Sequence, residues 1–257
     1  MGTGKSGRTV LPAGRYLKYA IGEIALVVIG ILIAVSINDA SQQRKDQKVV
    51  DKYIATLVEE LEANVTTLAN DISYSQSRLD TLHTLKQSMA KPSATLDSLV
   101  SIARYHFDYG YDPDVYLNNI TFNTLENTGD IKLLDEKLRD SLYYYQSELI
   151  KWSNVIKHNT DFYVEIDIAY HQVYPASGDE QFLGEEMMDA LWSSIDQDDF
   201  ALRFNSLVSN KIIAFSYVIR YQKLILWRVQ NLLNFLKLEY PNALPPPKHT
   251  TQTHAEE

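Results

Sequence analysis

The stretch that decides the architecture of this 257-residue chain is YAIGEIALVVIGILIAVSI, residues 19–37. It contains nineteen residues and a single charge, on Glu23. As an α-helix it would be about 28 Å long, close to the roughly 30 Å of a bilayer's hydrocarbon core. Four basic residues and no acid precede it, and Asn38 and Asp39 follow it. A basic flank, an apolar run and a polar stop together predict a signal anchor, with one transmembrane helix over 19–37.

Two other interpretations of this stretch fit less well. A cleaved signal peptide has an apolar region of about 7–15 residues and a small-x-small cleavage site, whereas Asn38-Asp39-Ala40 matches that site poorly. The fourteen residues 24–37 alone could form a buried helix of a soluble protein. The basic flank and the full length of the run favour a membrane span over this alternative.

The charges of the chain are unevenly distributed. Residues 1–45 hold six Lys or Arg and two acids, whereas residues 46–257 hold 18 Lys or Arg and 31 acids. A basic anchor therefore carries an acidic domain, which argues against a nucleic-acid partner because phosphate binding requires a basic face. The chain has no cysteine, which excludes disulfides, thiolate metal sites and cysteine nucleophiles.

The region around the span resembles a known family. The segments that carry the resemblance are GRYLKYAIGEI at 14–24, LVVIGILIA at 26–34, IN at 37–38 and RK at 44–45. They are similar to the N-terminal signature of an uncharacterised Bacteroidota family of single-span membrane proteins, domain of unknown function 6090. A weaker similarity lies at 124–129 and 138–140. One departure is Ala40, where the family usually has Trp as an interfacial anchor. The resemblance implies an inner-membrane protein of a Gram-negative bacterium and implies no activity.

The rest of the chain has the pattern of long helices. Apolar residues at helical spacing predict long helices over 46–90, 134–173 and 198–240, each about 60–68 Å long. Shorter helices are predicted over 93–107, 115–128 and 180–194. Expected caps and stops are Ser93 or Thr95, Asp114, Gly129 and Asp135. The sequence therefore predicts an all-α protein, in which a transmembrane helix precedes an elongated antiparallel helical bundle over 46–240. Residues 1–18 are expected to be a basic tail and residues 241–257 a disordered one.

Within the span, the small residues Gly22, Gly30 and Ala34 are candidates for helix packing in the membrane. Gly30 and Ala34 form a small-xxx-small pair, which allows two helices to approach closely in lipid, although such pairs are also common by chance. Glu23 lies one turn inside the apolar boundary, where a carboxylate is costly and suggests a function. The alternative is that Glu23 reaches back to the headgroups near Arg15 and Lys18.

No motif in the chain predicts catalysis, a cofactor or a metal. Asp80 and His83 form one Asp-x-x-His, but di-metal bundles require two Glu-x-x-His motifs, so this pair is expected at the surface. Asp167 and His171, at i and i+4, are better interpreted as a solvated face than as an acid–base site. We therefore expect a protein that is not an enzyme and binds no cofactor.

Tyrosine is unusually frequent, with seventeen residues in the chain. A tyrosine combines an apolar ring with a polar tip and is favoured at interfaces. The alternative is that the tyrosines close a bundle that is poor in Phe. The residues predicted to form a binding surface are Tyr105, Tyr109, Tyr111, Tyr116, Tyr143 and Tyr144.

The favoured function is a membrane-anchored interaction, scaffold or sensor module. Its expected partners are the lipid bilayer and either another protein or a second copy of the chain, with no nucleic acid. The expected location is the bacterial inner membrane, with the N-terminus in the cytoplasm and the helical domain in the periplasm. The alternative is an enzyme, or an accessory subunit of one, with an unrecognised helical site.

Overall fold

The structure, a computed structural model, describes residues 13–111, 113, 115–175 and 183–244, with side chains from Ile21 onward. Over these residues it contains helices and no strand, so the predicted all-α class is confirmed. Most of the two predicted tails, 1–12 and 245–257, lies outside the described residues. The chain divides into two compact units, Met1–Lys52 and Tyr53–Glu257.

The first helix contains the predicted span. Helix α1 extends over Ala13–Met89 and thus begins six residues before the predicted start of the span. Between Ile21 and Ala40 every side chain is exposed, including the apolar ones. Among the described residues, α1 is the one helix long and apolar enough to cross a membrane.

The second unit contains the remaining helices at close to their predicted positions. They are α2 over Leu96–Tyr105, α3 over Ile120–Thr128, α4 over Glu136–His171, α5 over Glu185–Ser193 and α6 over Gln197–Glu239. Short 3-10 helices cover Asp130–Leu133 and Pro241–Ala243.

Three of the predicted helix ends are confirmed. Thr95 caps α2 in a reciprocal capping box with Ser98. The Asp135 carboxylate accepts the Leu138 N–H at the start of α4, at 2.9 Å. Gly129 ends α3 with φ = 76°, a left-handed conformation that glycine adopts without steric cost.

The start of α3 differs from the prediction. A helix was expected from Val115, with Asp114 as its cap, but α3 begins at Ile120 and Asp114 lies outside the described residues. The reason is tertiary. The Asn64 side chain exchanges two hydrogen bonds with the Asn118 backbone, and Glu60 accepts the N–H of Thr121 at 3.0 Å. Side chains of α1 thus hold residue 118 out of the helix and cap the first turn of α3.

Helices α4 and α6 pack along their lengths in opposite directions. Tyr240 donates to Asp135 at one end, Glu148 pairs with Arg228 in the middle, and Tyr174 donates to Asp199 at the other end. Helix α1 is also antiparallel to α6, since Glu62 pairs with Lys237 and Leu82 and Leu85 lie at the cavity that Lys211 and Phe215 line. The second unit is therefore an antiparallel bundle of long helices, in which α6 packs against both α1 and α4.

The bundle core has an aromatic part. Phe107, Tyr163, Tyr170, Phe200 and Phe204 are all buried in one cluster. The rings of Phe200 and Phe204 stack at 5.6 Å, and Phe107 meets Phe204 edge to face at 5.3 Å. This cluster packs around the segment between α2 and α3, residues 106–119, which is named the joint. The candidate site lies at this joint.

Candidate functional site

The predicted packing residues of the span have no neighbour in the structure. A Cβ added at Gly22 or Gly30 would meet no atom within 4 Å, and Ala34 is exposed. Glu23 is exposed as well. The surface around these small residues is open, so a second helix could approach them. Their role in packing against a second chain stays a prediction.

The six predicted surface tyrosines fall into two groups. Tyr105, Tyr116, Tyr143 and Tyr144 are exposed, whereas Tyr109 and Tyr111 are half-buried. Tyr109 stacks on Tyr170, with 5.9 Å between ring centroids, and Tyr111 lies 4.7 Å from Tyr163. The six tyrosines are thus divided between the edge of the core and the surface, and they do not form one face.

The inward rings of the joint follow a strand-like alternation. Residues 107–111 are not helical, so Phe107, Tyr109 and Tyr111, two residues apart, point to the same side. That side faces α4 and α6. The Phe107 ring packs against Phe204 of α6, and the Tyr111 ring packs against Phe215 of α6. The intervening residues Asp108 and Gly110 are exposed, and their carbonyl groups remain available as acceptors.

Those two carbonyl oxygens bind a buried lysine. The Lys211 ammonium group donates to the carbonyl oxygens of Asp108 and Gly110, at 2.8 Å for Gly110. It also lies 5.0 Å from the ring centroid of Phe107 and 5.7 Å from that of Tyr163. Lys211 is only 1% exposed, although lysine is almost never fully buried unless it is paired. The joint therefore covers the buried ammonium group of Lys211 from α6.

The environment of Lys211 disfavours its charged form. Burial, followed by the positive charge of Arg78, lowers the pKa of Lys211 to about 7, and the Asp167 carboxylate partly opposes this change. The Arg78 guanidinium is itself paired with the Asp108 carboxylate at the rim. Among the described residues, Lys211 forms no salt bridge with a carboxylate.

A cavity of about 330 Å³ lies next to Lys211. Its surface is mostly apolar, and its lining comes from α1, the joint and α6. The lining residues are Arg78, Thr81, Leu82, Thr84, Leu85, Ser88, His106, Phe107, Asp108, Lys211 and Phe215. Ligand sites in proteins have this character, with apolar walls and a few polar groups at one place.

Asp167 and His171 occupy a different place from the solvated face that was expected. Their side chains are 25% and 21% exposed, and the atoms Oδ1 and Nε2 are 3.7 Å apart. The His171 ring lies 4.7 Å from the Tyr109 ring. Burial and then the Asp167 charge raise the pKa of Tyr163. These groups form a polar layer between the joint and α4. Helical spacing alone could not predict it, because Tyr109 lies far from α4 in the sequence.

The expected surface position of the Asp-x-x-His motif is confirmed. Asp80 and His83 are both exposed, and the Asp80 carboxylate accepts a hydrogen bond from Gln76 at 3.0 Å. Among the residues whose side chains are described, no group of three or more His, Asp or Glu is arranged to hold a metal ion.

The described residues form an all-α protein. It has one exposed apolar helix at the N-terminus and an all-α bundle with a small, mostly apolar cavity. Residues 23–144 match the sequence model of a family of unknown function (DUF6090), which confirms the resemblance inferred from the residues around the span. No curated protein and no solved structure matches the chain.

Proposed function

We propose that this protein is a membrane-anchored interaction module, acting as a scaffold or sensor, whose helical bundle binds a partner outside the bilayer. One observation carries the proposal. The apolar part of α1 is exposed at every described position from Ile21 to Ile37, and a helix with no buried face in water is stable when lipid surrounds it.

Extraction of membranes at alkaline pH tests the anchor. The full-length protein should stay in the membrane pellet after carbonate treatment, because about 19 apolar residues bind the bilayer far more strongly than a surface contact does. A truncated chain of residues 46–257 is the matched control and should be soluble and helical. Full-length protein in the carbonate supernatant would refute the span.

The exposed tyrosines are the proposed contact surface of the bundle. Tyr144 of α4 lies beside the half-buried Arg228, whose guanidinium carbon is 4.8 Å from the Tyr144 ring centroid and which pairs with Glu148. Tyr143 lies against Phe122 of α3, with 5.8 Å between ring centroids. Exposed tyrosines next to arginine are typical of protein interfaces. Crosslinking in native membranes, followed by mass spectrometry, would identify the partner or a second copy of the chain.

The alternative function is an enzyme or its accessory subunit, and the cavity is the observation that favours it. Catalysis requires a nucleophile or base within reach of a polarising group. Lys211 instead donates to two backbone carbonyls, and the cavity wall is mainly apolar. This arrangement supports binding over chemistry.

The proposed location is the bacterial inner membrane, with the N-terminus in the cytoplasm and the bundle in the periplasm. Basic residues are equally numerous near the two ends of the span. The N-terminal set has no neighbouring acid, whereas Asp39, Asp46 and Asp51 accompany the other set. The absence of cysteine suits an oxidising compartment.

A further inference from the structure

The cavity beside the joint combines one buried cation with apolar walls. Leu82 and Leu85 of α1 and Phe107 of the joint provide apolar surface, and the Lys211 ammonium group lies at the same cavity. Leu82 and Phe107 are buried against the core, while Leu85 is half-buried and lies closer to solvent. The cavity therefore has a polar position at Lys211 and an apolar wall leading away from it.

Lys211 forms no salt bridge among the described residues, and the Asp167 carboxylate, which favours its charged form, pairs with His171 instead. The Lys211 ammonium group donates two hydrogen bonds to neutral backbone carbonyls, and the nearby Asp108 carboxylate pairs with Arg78. A buried charge is costly unless it is paired and hydrogen-bonded, and the ammonium group can donate a third hydrogen bond. An anion in the cavity would supply both the pairing and the third acceptor.

We propose that this cavity binds a small organic molecule that carries one carboxylate on a short apolar chain. Its carboxylate lies against the Lys211 ammonium group, and its chain lies along Leu82, Leu85 and Phe107. The volume of about 330 Å³ is at the lower end of the range for ligand sites, which restricts the ligand to a small one.

Other ligand chemistries fit this cavity less well. A phosphate group carries more charge and requires several donors, commonly from arginine, whereas Arg78 is already paired with Asp108. A neutral amide or alcohol of the same shape would gain the apolar contacts and leave the lysine without a counter-charge. One carboxylate supplies one counter-charge and one acceptor, which matches the third donor of the Lys211 ammonium group.

This inference deepens the sensor form of the proposed function and rests on it. The two can fail separately, because carbonate extraction tests the anchor while ligand titration tests the cavity.

Calorimetric titration of the full-length protein in lipid nanodiscs tests the proposal, with sodium hexanoate as the probe and empty nanodiscs as the blank. Hexanoate should bind saturably with one site per chain. Hexanamide, which has nearly the same shape without the charge, should bind at least about tenfold more weakly, since hydrogen bonds between charged groups are worth that much. Equal affinities, or no saturable binding of hexanoate, would overturn the proposal.

Two variants locate the site. Lys211→Met should lower hexanoate affinity to that of hexanamide, whereas Lys223→Met, an exposed lysine on the same helix, should leave it unchanged. Leu85→Trp keeps the lysine and fills the cavity, so it should abolish binding of both probes even if Lys211→Met does not fold. Unchanged hexanoate binding by Leu85→Trp would place the ligand elsewhere and refute the site.

A length series separates two sources of such a ligand. A preference for butanoate or hexanoate over octanoate would indicate a small soluble acid. Affinity that still rises at octanoate, after subtraction of the empty-nanodisc signal, would indicate an acid released from lipid.

Discussion

At the scale of single residues, Lys211 shows how burial changes a common side chain. On an exposed helical face, lysine keeps its charge and has little effect on stability. Here two carbonyl oxygens and the Phe107 ring of the joint lie around the ammonium group, together with the Tyr163 ring of α4. The groups that face it are Arg78 from α1 and Asp167 from α4, and together with burial they set its pKa. The same residue therefore links the joint to the bundle and makes the stability of the bundle depend on pH.

The first prediction concerns that pH dependence. In the folded protein the pKa of Lys211 is about 7, below its ordinary value of 10.5, so the unfolded chain binds more protons between these values. The free energy of unfolding should consequently rise as the pH increases from about 7 towards 10. In thermal melts of the full-length protein, the melting temperature should increase over pH 7–9.5 in the wild type.

Lys211→Met should lose that increase, and Lys223→Met should keep it. The measurement stops at pH 9.5 because the buried tyrosines act in the opposite direction above pH 10. Burial raises the pKa of Tyr170 and Tyr163, so the unfolded chain loses tyrosine protons first and stability falls. A parallel pH profile for the wild type and Lys211→Met would show that Lys211 titrates normally.

At the scale of elements, α4 shows how a helical pattern fixes which side chains are buried. The helical spacing of apolar residues along α4 predicts a buried seam that includes Leu149 and Trp152. Leu149 is 7% exposed, as predicted for a core position. Trp152 is only half-buried, and its indole N–H donates to Glu148 at 3.2 Å while its ring stacks on Tyr221. Trp152 thus lies at the edge of the α4–α6 contact, because Tyr221 and Glu148 cover its two sides.

The second prediction tests this register. Leu149→Asp would place an unpaired carboxylate in the core and remove a packed side chain, which should cost about 3 kcal/mol or more. Ile150→Asp is the matched control, since Ile150 is the next residue on the same helix and is 59% exposed. That change should alter the free energy of unfolding by no more than about 0.5 kcal/mol.

Thermal or denaturant unfolding followed by circular dichroism measures both variants. Trp152→Asp should fall between them because its position is intermediate. Equal stabilities for Leu149→Asp and Ile150→Asp would show that α4 is rotated relative to the assigned seam.

At the scale of the whole molecule, charge separates the two ends of the chain. Residues 1–45 are basic, and the rest is acidic, with 31 acids against 18 Lys or Arg. The positive-inside rule counts basic residues near the ends of a span and largely ignores acids, so it does not decide between the two orientations by number. The proposed orientation rests on the lack of acids among residues 1–18 and on the lack of cysteine.

The third prediction follows from that orientation. Protease added to intact spheroplasts should digest the helical bundle, because a periplasmic domain is then exposed to the medium. A cytoplasmic marker protein should survive as the control for intact membranes. Complete protection of the bundle, with digestion only after detergent is added, would place it in the cytoplasm and reverse the orientation.

The sequence by itself determined the features that depend on near neighbours. Apolar runs and helical spacing predicted the membrane segment, the long helices and the all-α class, because a helix satisfies its own backbone and exposes one periodic face. Thr95, Gly129 and Asp135 were recognised as helix ends because capping involves residues within one turn.

Only the tertiary structure decided the features that join distant segments. Asn64 bonds the backbone of Asn118, 54 residues away, and so keeps that residue out of α3. Lys211 donates to the carbonyl oxygen of Asp108, 103 residues away. Helical spacing carries no information about such contacts. The sequence therefore could not separate the half-buried Tyr109 and Tyr111 from the exposed tyrosines, nor predict the cavity. Burial of a polar group depends on which partners reach it, and packing of the whole bundle sets those partners.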